Sequence, residues 1–230
     1  MKQLDNTTPY QACEYDKNVR LTIPFYELFH TETIDLVKAM KPDAKAWFDT
    51  GCGTAYLVEN ALPHFPRTAF VLADPSQAML NEAKRRLQNI QPERVKFLDS
   101  AATEGLRGNL SPQPEVITAI MCHHYLMPEK RWDATAVCFN LLAQQGLYVT
   151  FENIRPHCEE TVKLSLERWK RFQISKGRDI SAVEEHVKRF NKEYFPITVD
   201  EHLDLLKSCG FRVAELFWYS QMQAGFYAIK

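Results

Sequence analysis

The chain of 230 residues lacks any apolar run approaching the roughly 18 uncharged residues of a membrane span, so no span is expected. Its first residues, MKQLDNTTPYQACEYDKN, are polar and lack the apolar middle of a secretory signal. Cysteine never occurs at C-x-x-C spacing. Cys13, Cys52, Cys122, Cys138, Cys158 and Cys209 are scattered, which argues against a disulfide framework and against a zinc site. They read as reduced thiols of a cytoplasmic protein. An excess of one charge is missing too. Lys plus Arg is 28 and Asp plus Glu is 29, for a net charge of -1, so a chain built to coat nucleic acid is disfavoured. Repeats, low-complexity tracts and linkers are absent. What remains is 45% apolar and 25% charged, the mix of an ordinary globular chain long enough for one substantial domain and short for two.

Apolar strand-like runs alternate with helix-like ones. Lys45–Thr50, Thr68–Ala73, Arg94–Leu98, Glu115–Met121 and Gly146–Glu152 read as five strands. Between them, Thr54–Leu62, Gln77–Gln88 and Glu129–Leu142 read as helices. This spacing predicts βαβ units, a parallel sheet covered on both faces, and a ligand crevice at the carboxyl ends of the strands. The pattern then changes. Glu159–Ile174 is amphipathic. Ser181–Glu184 and Thr198–Glu201 read as capping boxes that each open a helix. Phe211–Tyr219 and Gln223–Ile229 read as a closing hairpin, which requires an antiparallel strand.

One loop carries the chemistry. The first strand runs into Asp49-Thr50-Gly51-Cys52-Gly53-Thr54, where a glycine pair between strand and helix allows a tight turn and close approach of the backbone to a ligand. A side chain at Gly51 is expected to intrude where backbone and ligand meet. Helix N-terminal amides face the same ligand. Asp74, ending the second strand, is placed to accept the hydroxyl hydrogens of a ribose. A dinucleotide fingerprint would put a third glycine at position 56, which is Tyr56. The acid two residues before the first glycine suits a cationic amino-acid group better than a phosphate.

These residues resemble the class I S-adenosylmethionine-dependent methyltransferases, whose first motif is D-x-G-x-G-x-G, with Ala55 here in place of the third glycine. Asp74-Pro75-Ser76 with Met79-Leu80 looks like that family's second motif. The resemblance implies a Rossmann-like α/β fold: a seven-stranded, mostly parallel sheet with a terminal antiparallel hairpin and helices on both faces. Residues 1–230 would form one domain, with an N-terminal helical cap over 1–43 and an inserted helical lid over 155–195. The implied cofactor is S-adenosyl-L-methionine, held by Asp49, Gly51, Cys52, Gly53, Asp74, Pro75, Met79, Ile120 and Met121, with Ser100 and Ala101 at the adenine and Asp99 as the lesser alternative. A narrower similarity links Tyr15-Asp16, Ile23-Pro24, Tyr26 and the C-terminal run from Leu206 to Lys230 to the carboxy-S-adenosylmethionine synthases of tRNA uridine modification. In that family the tyrosine after the proline touches the cofactor, which points to Tyr26, and a Lys-Arg pair matches Lys188-Arg189. The run Ile120–Leu126 (IMCHHYL) departs from that family's pattern, so common ancestry is implied more than a common substrate.

His123, His124 and Tyr125 follow the fourth strand, where the family lines its transfer cleft, and they are the candidate catalytic residues. A histidine there could serve as base because its pKa lies near neutrality; packing at the strand end is the plainer account. Tyr15, Glu152, Trp169 and Arg189 are the candidate substrate contacts. No third ligand accompanies the histidine pair, so no metal is expected. Arg168, Lys170, Arg171, Lys176 and Arg178 form a basic run with Trp169 and Phe172 interleaved, read as a solvated helix face with its aromatics in the core. The expected partner is a small-molecule acceptor. Nucleic acid is less favoured, no membrane is expected, and a homodimer is compatible with the sequence. The first rival reading is a carboxy-S-adenosylmethionine synthase-like or tRNA-directed enzyme, and the rival of another class is a nucleoside-binding protein without transfer activity.

Overall fold

The computed structural model describes residues 8–230. Strand β1 (Ala46–Thr50) is buried along its whole length and pairs in parallel with β2 (Ala69–Ala73) on one side and β4 (Val116–Ile120) on the other. With β3 (Val95–Phe97), β5 (Leu147–Asn153), β6 (Val213–Ser220) and β7 (Gln223–Ile229), the sheet order is β3-β2-β1-β4-β5-β7-β6. β7 runs antiparallel to β5 and β6 antiparallel to β7, as a terminal hairpin requires. β1 finds neighbours on both sides, so the chain leaves β1 and β4 toward opposite directions and a crevice opens at their carboxyl ends.

Each sheet face is apolar because successive strand residues point to opposite sides. Trp47, Leu72, Val149 and Phe151 face α2 (Tyr26–Met40), α3 (Tyr56–Ala61) and α4 (Gln77–Arg86). Phe48, Val71, Ile117, Tyr148 and Phe226 face α5 (Pro128–Leu141) and α8 (Val199–Ser208). Phe29 of α2 stacks on Phe151 with ring centroids 4.7 Å apart, which fixes the N-terminal segment to the sheet. Ahead of α2 stands α1 (Tyr15–Thr22). After β5 come α6 (Glu159–Ser175) and α7 (Ile180–Lys188). Among the described residues no helix is long and apolar enough to cross a membrane.

Helix ends follow local chemistry. α8 opens with the full capping box: Thr198 accepts from the Glu201 amide and Glu201 accepts from that of Thr198. α7 departs from the sequence expectation. Its cap is Asp179, whose carboxylate accepts from the amides of Ser181 (2.9 Å) and Ala182 (3.2 Å), so the helix begins before Ser181. A carboxylate two residues upstream out-competes a hydroxyl because its hydrogen bonds are charge-assisted. α3 starts at Tyr56 rather than Thr54, because Gly51, Gly53 and Ala55 have φ of 63°, 53° and 62° and cannot enter a helix earlier.

Candidate functional site

The crevice divides into three adjoining compartments. The first, with about 500 Å³ of empty volume, is bordered by Gly51, Gly53, Asp74, Pro75, Met79, Ile120, Met121 and Cys122. The second, about 340 Å³, lies on the other side of the glycine loop, between Asp49, Cys52 and Thr54 and the α2 side chains Tyr26 and His30. The third, about 430 Å³, is enclosed by the N-terminal segment (Tyr10, Val19, Thr22, Ile23) and by Asn153, His186, Arg189 and Tyr194. Tyr15 borders all three, and Met121 and Tyr125 border the first and third.

Backbone geometry builds the first compartment. Gly53 has open space where a Cβ would stand, so its backbone lies bare to the cleft. The Asp74 carboxylate accepts from the amides of Gly53 and Ser76, both at 2.8 Å, which ties the end of β2 to the glycine loop. Gly51 is required for a different reason from the one its motif position suggests. A Cβ there would lie 2.5 Å from the Cβ of Cys122, so the close approach is to the β4 loop and not first of all to a ligand. Ser100 and Ala101 border none of the three compartments. They lie beside the rim, where the Ser100 hydroxyl donates to the Pro75 carbonyl at 2.6 Å and the Ala101 amide to that of Asp74 at 3.2 Å.

Asp49 sits at the end of β1 with the Thr118 hydroxyl donating to it at 2.6 Å. Burial pushes its carboxyl up to about 7, reinforced by the charge of Asp74 and opposed by the Thr118 bond. A second group of polar residues latches α1 over the loop. The Thr54 hydroxyl donates to Asp16 at 2.7 Å, and Arg86 bridges Asp16 and Glu59 while donating to the Thr54 carbonyl at 2.8 Å. The Tyr56 hydroxyl donates to Glu27 at 2.6 Å, with the Arg20 guanidinium 4.9 Å above its ring.

The fold separates the expected catalytic trio. Tyr125 borders two compartments. His123 and His124 are buried beneath and border none. Glu152, expected at the substrate, is engaged below with them. It accepts from the backbone amides of His123 (3.2 Å) and His124 (2.9 Å), from His124 Nδ1 (2.7 Å) and from the Thr150 hydroxyl (2.8 Å). Burial works against this carboxylate, yet the His124 bond and the nearby imidazoles hold it down at about 2. The β4 loop folds over the end of β5, so these groups bond to each other and leave Tyr125 to face the cleft. Trp169 is likewise internal: its indole N–H donates to the Thr22 carbonyl at 2.6 Å and joins α6 to α1. Tyr15 and Arg189 do reach the third compartment. Asn153, which ends β5 beside Glu152, lines it as well, whereas sequence reasoning missed Tyr10, His186 and Tyr194 there, and His30 in the second compartment. Only the helical spacing of Tyr26 and His30 hinted at the last.

Residues 48–148 match a family model described as a methyltransferase domain. The carboxy-S-adenosyl-L-methionine synthase of Nautilia profundicola is 21% identical over 219 residues, covering 95% of this chain and 92% of that protein. Two solved structures share the fold. An O-methyltransferase family protein from Burkholderia thailandensis has a TM-score of 0.63 and 13% identity over 98% of this chain, which spans 65% of that one. The magnesium protoporphyrin IX methyltransferase of Synechocystis PCC 6803, solved with S-adenosylhomocysteine, has a TM-score of 0.64 and 14% identity over 96% of this chain and 95% of that one.

Proposed function

On the premise that this chain is a class I S-adenosylmethionine-dependent methyltransferase, we propose that it methylates a small-molecule acceptor seated in the third compartment. One observation carries this reading: a chamber of about 430 Å³, walled by Tyr10, Tyr125 and Tyr194, shares Tyr15, Met121 and Tyr125 with the compartment at the glycine loop. Under this proposal, residues 8–43 act as a cap, the rest of the expected segment 1–43 lying outside the described residues, and 155–195 act as a lid on a single domain.

The first two compartments fit an adenosyl amino acid. Asp74 and Pro75 suit the ribose, Met79, Ile120 and Met121 give apolar contact, and Asp49 offers a carboxylate to an amino group. When bound, the cofactor supplies a methyl group on a positively charged sulfur. The chain's own residues then align and enclose. Burial pushes the Tyr125 hydroxyl up to about 12, raises Tyr15, and lowers His186 to about 3. None of these is a strong base near neutrality. The reading therefore favours an acceptor whose nucleophilic atom needs no proton removed before attack, with rate gained from orientation and water exclusion. Arg189, whose Nε donates to Glu193 at 2.6 Å, and Asn153 give the chamber its polar contacts for the acceptor.

The full-length similarity to carboxy-S-adenosyl-L-methionine synthases supports a second reading, in which the nucleoside itself is modified. Mass spectrometry of the nucleoside product separates the two. Methyl transfer releases S-adenosylhomocysteine, whereas in the second reading a separate carboxylated donor gives up its carboxyl carbon as the cofactor's methyl carbon loses a proton, yielding a sulfonium heavier by the elements of carbon dioxide. Arg189→Ala is expected to lower kcat/KM for the acceptor while keeping S-adenosylhomocysteine affinity within about twofold. Equal losses in both would place Arg189 at the cofactor and remove the acceptor chamber.

A further inference from the structure

His30 lies in the first turns of α2 and is 4% exposed, and neither ring nitrogen has a hydrogen-bond partner. The ring is held edge-on against Tyr26 and Tyr56, with centroids 4.9 Å away in each case. It borders the second compartment together with Asp49 and the loop Gly51–Thr54. Neighbouring polar side chains are engaged: Asp49 by Thr118, Thr54 by Asp16, Tyr56 by Glu27. An imidazole buried without partners costs stability that a leucine or phenylalanine would not, so its placement calls for a ligand.

The lining residues indicate which ligand group. Asp49 is the one acid among them, and no lysine or arginine is present. A cationic amino group therefore has Asp49. A carboxylate beside it has neutral donors only, and with the Cys52 and Gly53 amides and the Tyr56 hydroxyl already engaged, His30 is the lining side chain whose donor has no partner. Burial lowers His30 to about 3, so at neutral pH it carries one N–H donor and one acceptor nitrogen.

We infer that His30 recognises the amino-acid end of the bound nucleoside, donating a ring N–H to its α-carboxylate while Asp49 takes the α-ammonium. This rests on the S-adenosylmethionine reading of the glycine loop and adds a specificity for the carboxylate. It predicts that the enzyme separates S-adenosylhomocysteine from nucleosides that lack the carboxylate through one residue of α2.

The test is calorimetric binding to the full chain of three probes: S-adenosylhomocysteine, 5′-methylthioadenosine, which lacks the amino-acid end, and decarboxylated S-adenosylmethionine, which keeps only the amine. His30→Phe preserves ring packing, and far-UV spectra confirm folding. It is expected to weaken S-adenosylhomocysteine at least about tenfold, the loss of one hydrogen bond to a charged group, and to leave the other two probes unchanged. His30→Gln, which restores an N–H donor, is expected to recover part of the loss. Equal weakening of methylthioadenosine, or unchanged S-adenosylhomocysteine binding, overturns the inference. Weakening of the decarboxylated probe to the same extent overturns the carboxylate assignment in favour of the amine. If the unaltered chain binds neither S-adenosylhomocysteine nor methylthioadenosine, the cofactor reading itself fails.

Discussion

Nδ1 of His124 lies 2.7 Å from Oε2 of Glu152, and each side chain is 1% exposed. This pair holds the β4 loop against the end of β5 directly beneath the crevice.

Glu152→Gln is expected to destabilise the protein by about 3 kcal/mol, because a neutral amide replaces a carboxylate that receives four donors. For a chain of this size that corresponds to a fall in Tm of about 6–12 °C by calorimetry. The sign with pH follows from the folded carboxyl lying near 2, below its ordinary value of 4.5. The stabilisation is complete above the unfolded value and lost as pH falls from 4.5 toward 2. The gap between wild type and variant should therefore narrow over that window. A constant gap down to the acid end would show that charge contributes nothing here.

The two loop glycines should separate fold from binding. Gly51→Ala places a methyl group against Cys122 at positive φ, combining left-handed strain of about 1–2 kcal/mol with overpacking of about 1–3 kcal/mol. It should lower Tm more than Gly53→Ala, which meets no atom within 4 Å. Gly53→Ala, at φ 53°, shares the left-handed strain of about 1–2 kcal/mol but escapes the overpacking, and it should weaken S-adenosylhomocysteine because its new methyl group points into open cleft. Calorimetric melting and binding titration on both variants check this. The reverse order would mean that the loop turns the other residue toward the ligand.

Cofactor affinity should depend on pH through Asp49, whose carboxyl stands at about 7. A cationic amino group favours the ionised form, so binding below that value must expel a proton. Affinity for S-adenosylhomocysteine should therefore rise by about tenfold per pH unit up to 7 and then level off. For the empty protein the stability sign is opposite. A raised carboxyl penalises the folded state as pH climbs from 3.8 through 7. Titrations in two buffers of different ionisation enthalpy should detect the released proton, and Asp49→Asn should flatten the profile. Binding that is already pH-independent in the unaltered chain would take the amino group away from Asp49.

Periodicity and motif spacing by themselves determined the alternation of strands and helices, the closing hairpin and the loop Asp49–Thr54, because each is a local property of consecutive residues. Strand identity followed from runs such as Val116–Ile120, whose buried side chains leave few alternatives. The α7 cap was misjudged by two residues, because a serine with a following glutamate and an aspartate upstream both offer acceptors and only backbone geometry selects Asp179. The site was legible where backbone forms it, at Gly51, Gly53 and Asp74. It was not legible where distant side chains compete for the same space. His123, His124 and Tyr125 are adjacent in sequence, yet Glu152, 28 residues beyond His124, holds the His124 imidazole below, Thr103 and Tyr148 hold that of His123, and the tyrosine is left in the cleft. His30, 21 residues before Gly51 by number, becomes a lining residue only because Phe29 stacks on Phe151 and brings α2 across the sheet. Such pairings are decided by long-range packing, in which burial and hydrogen-bond satisfaction are settled across the whole molecule at once.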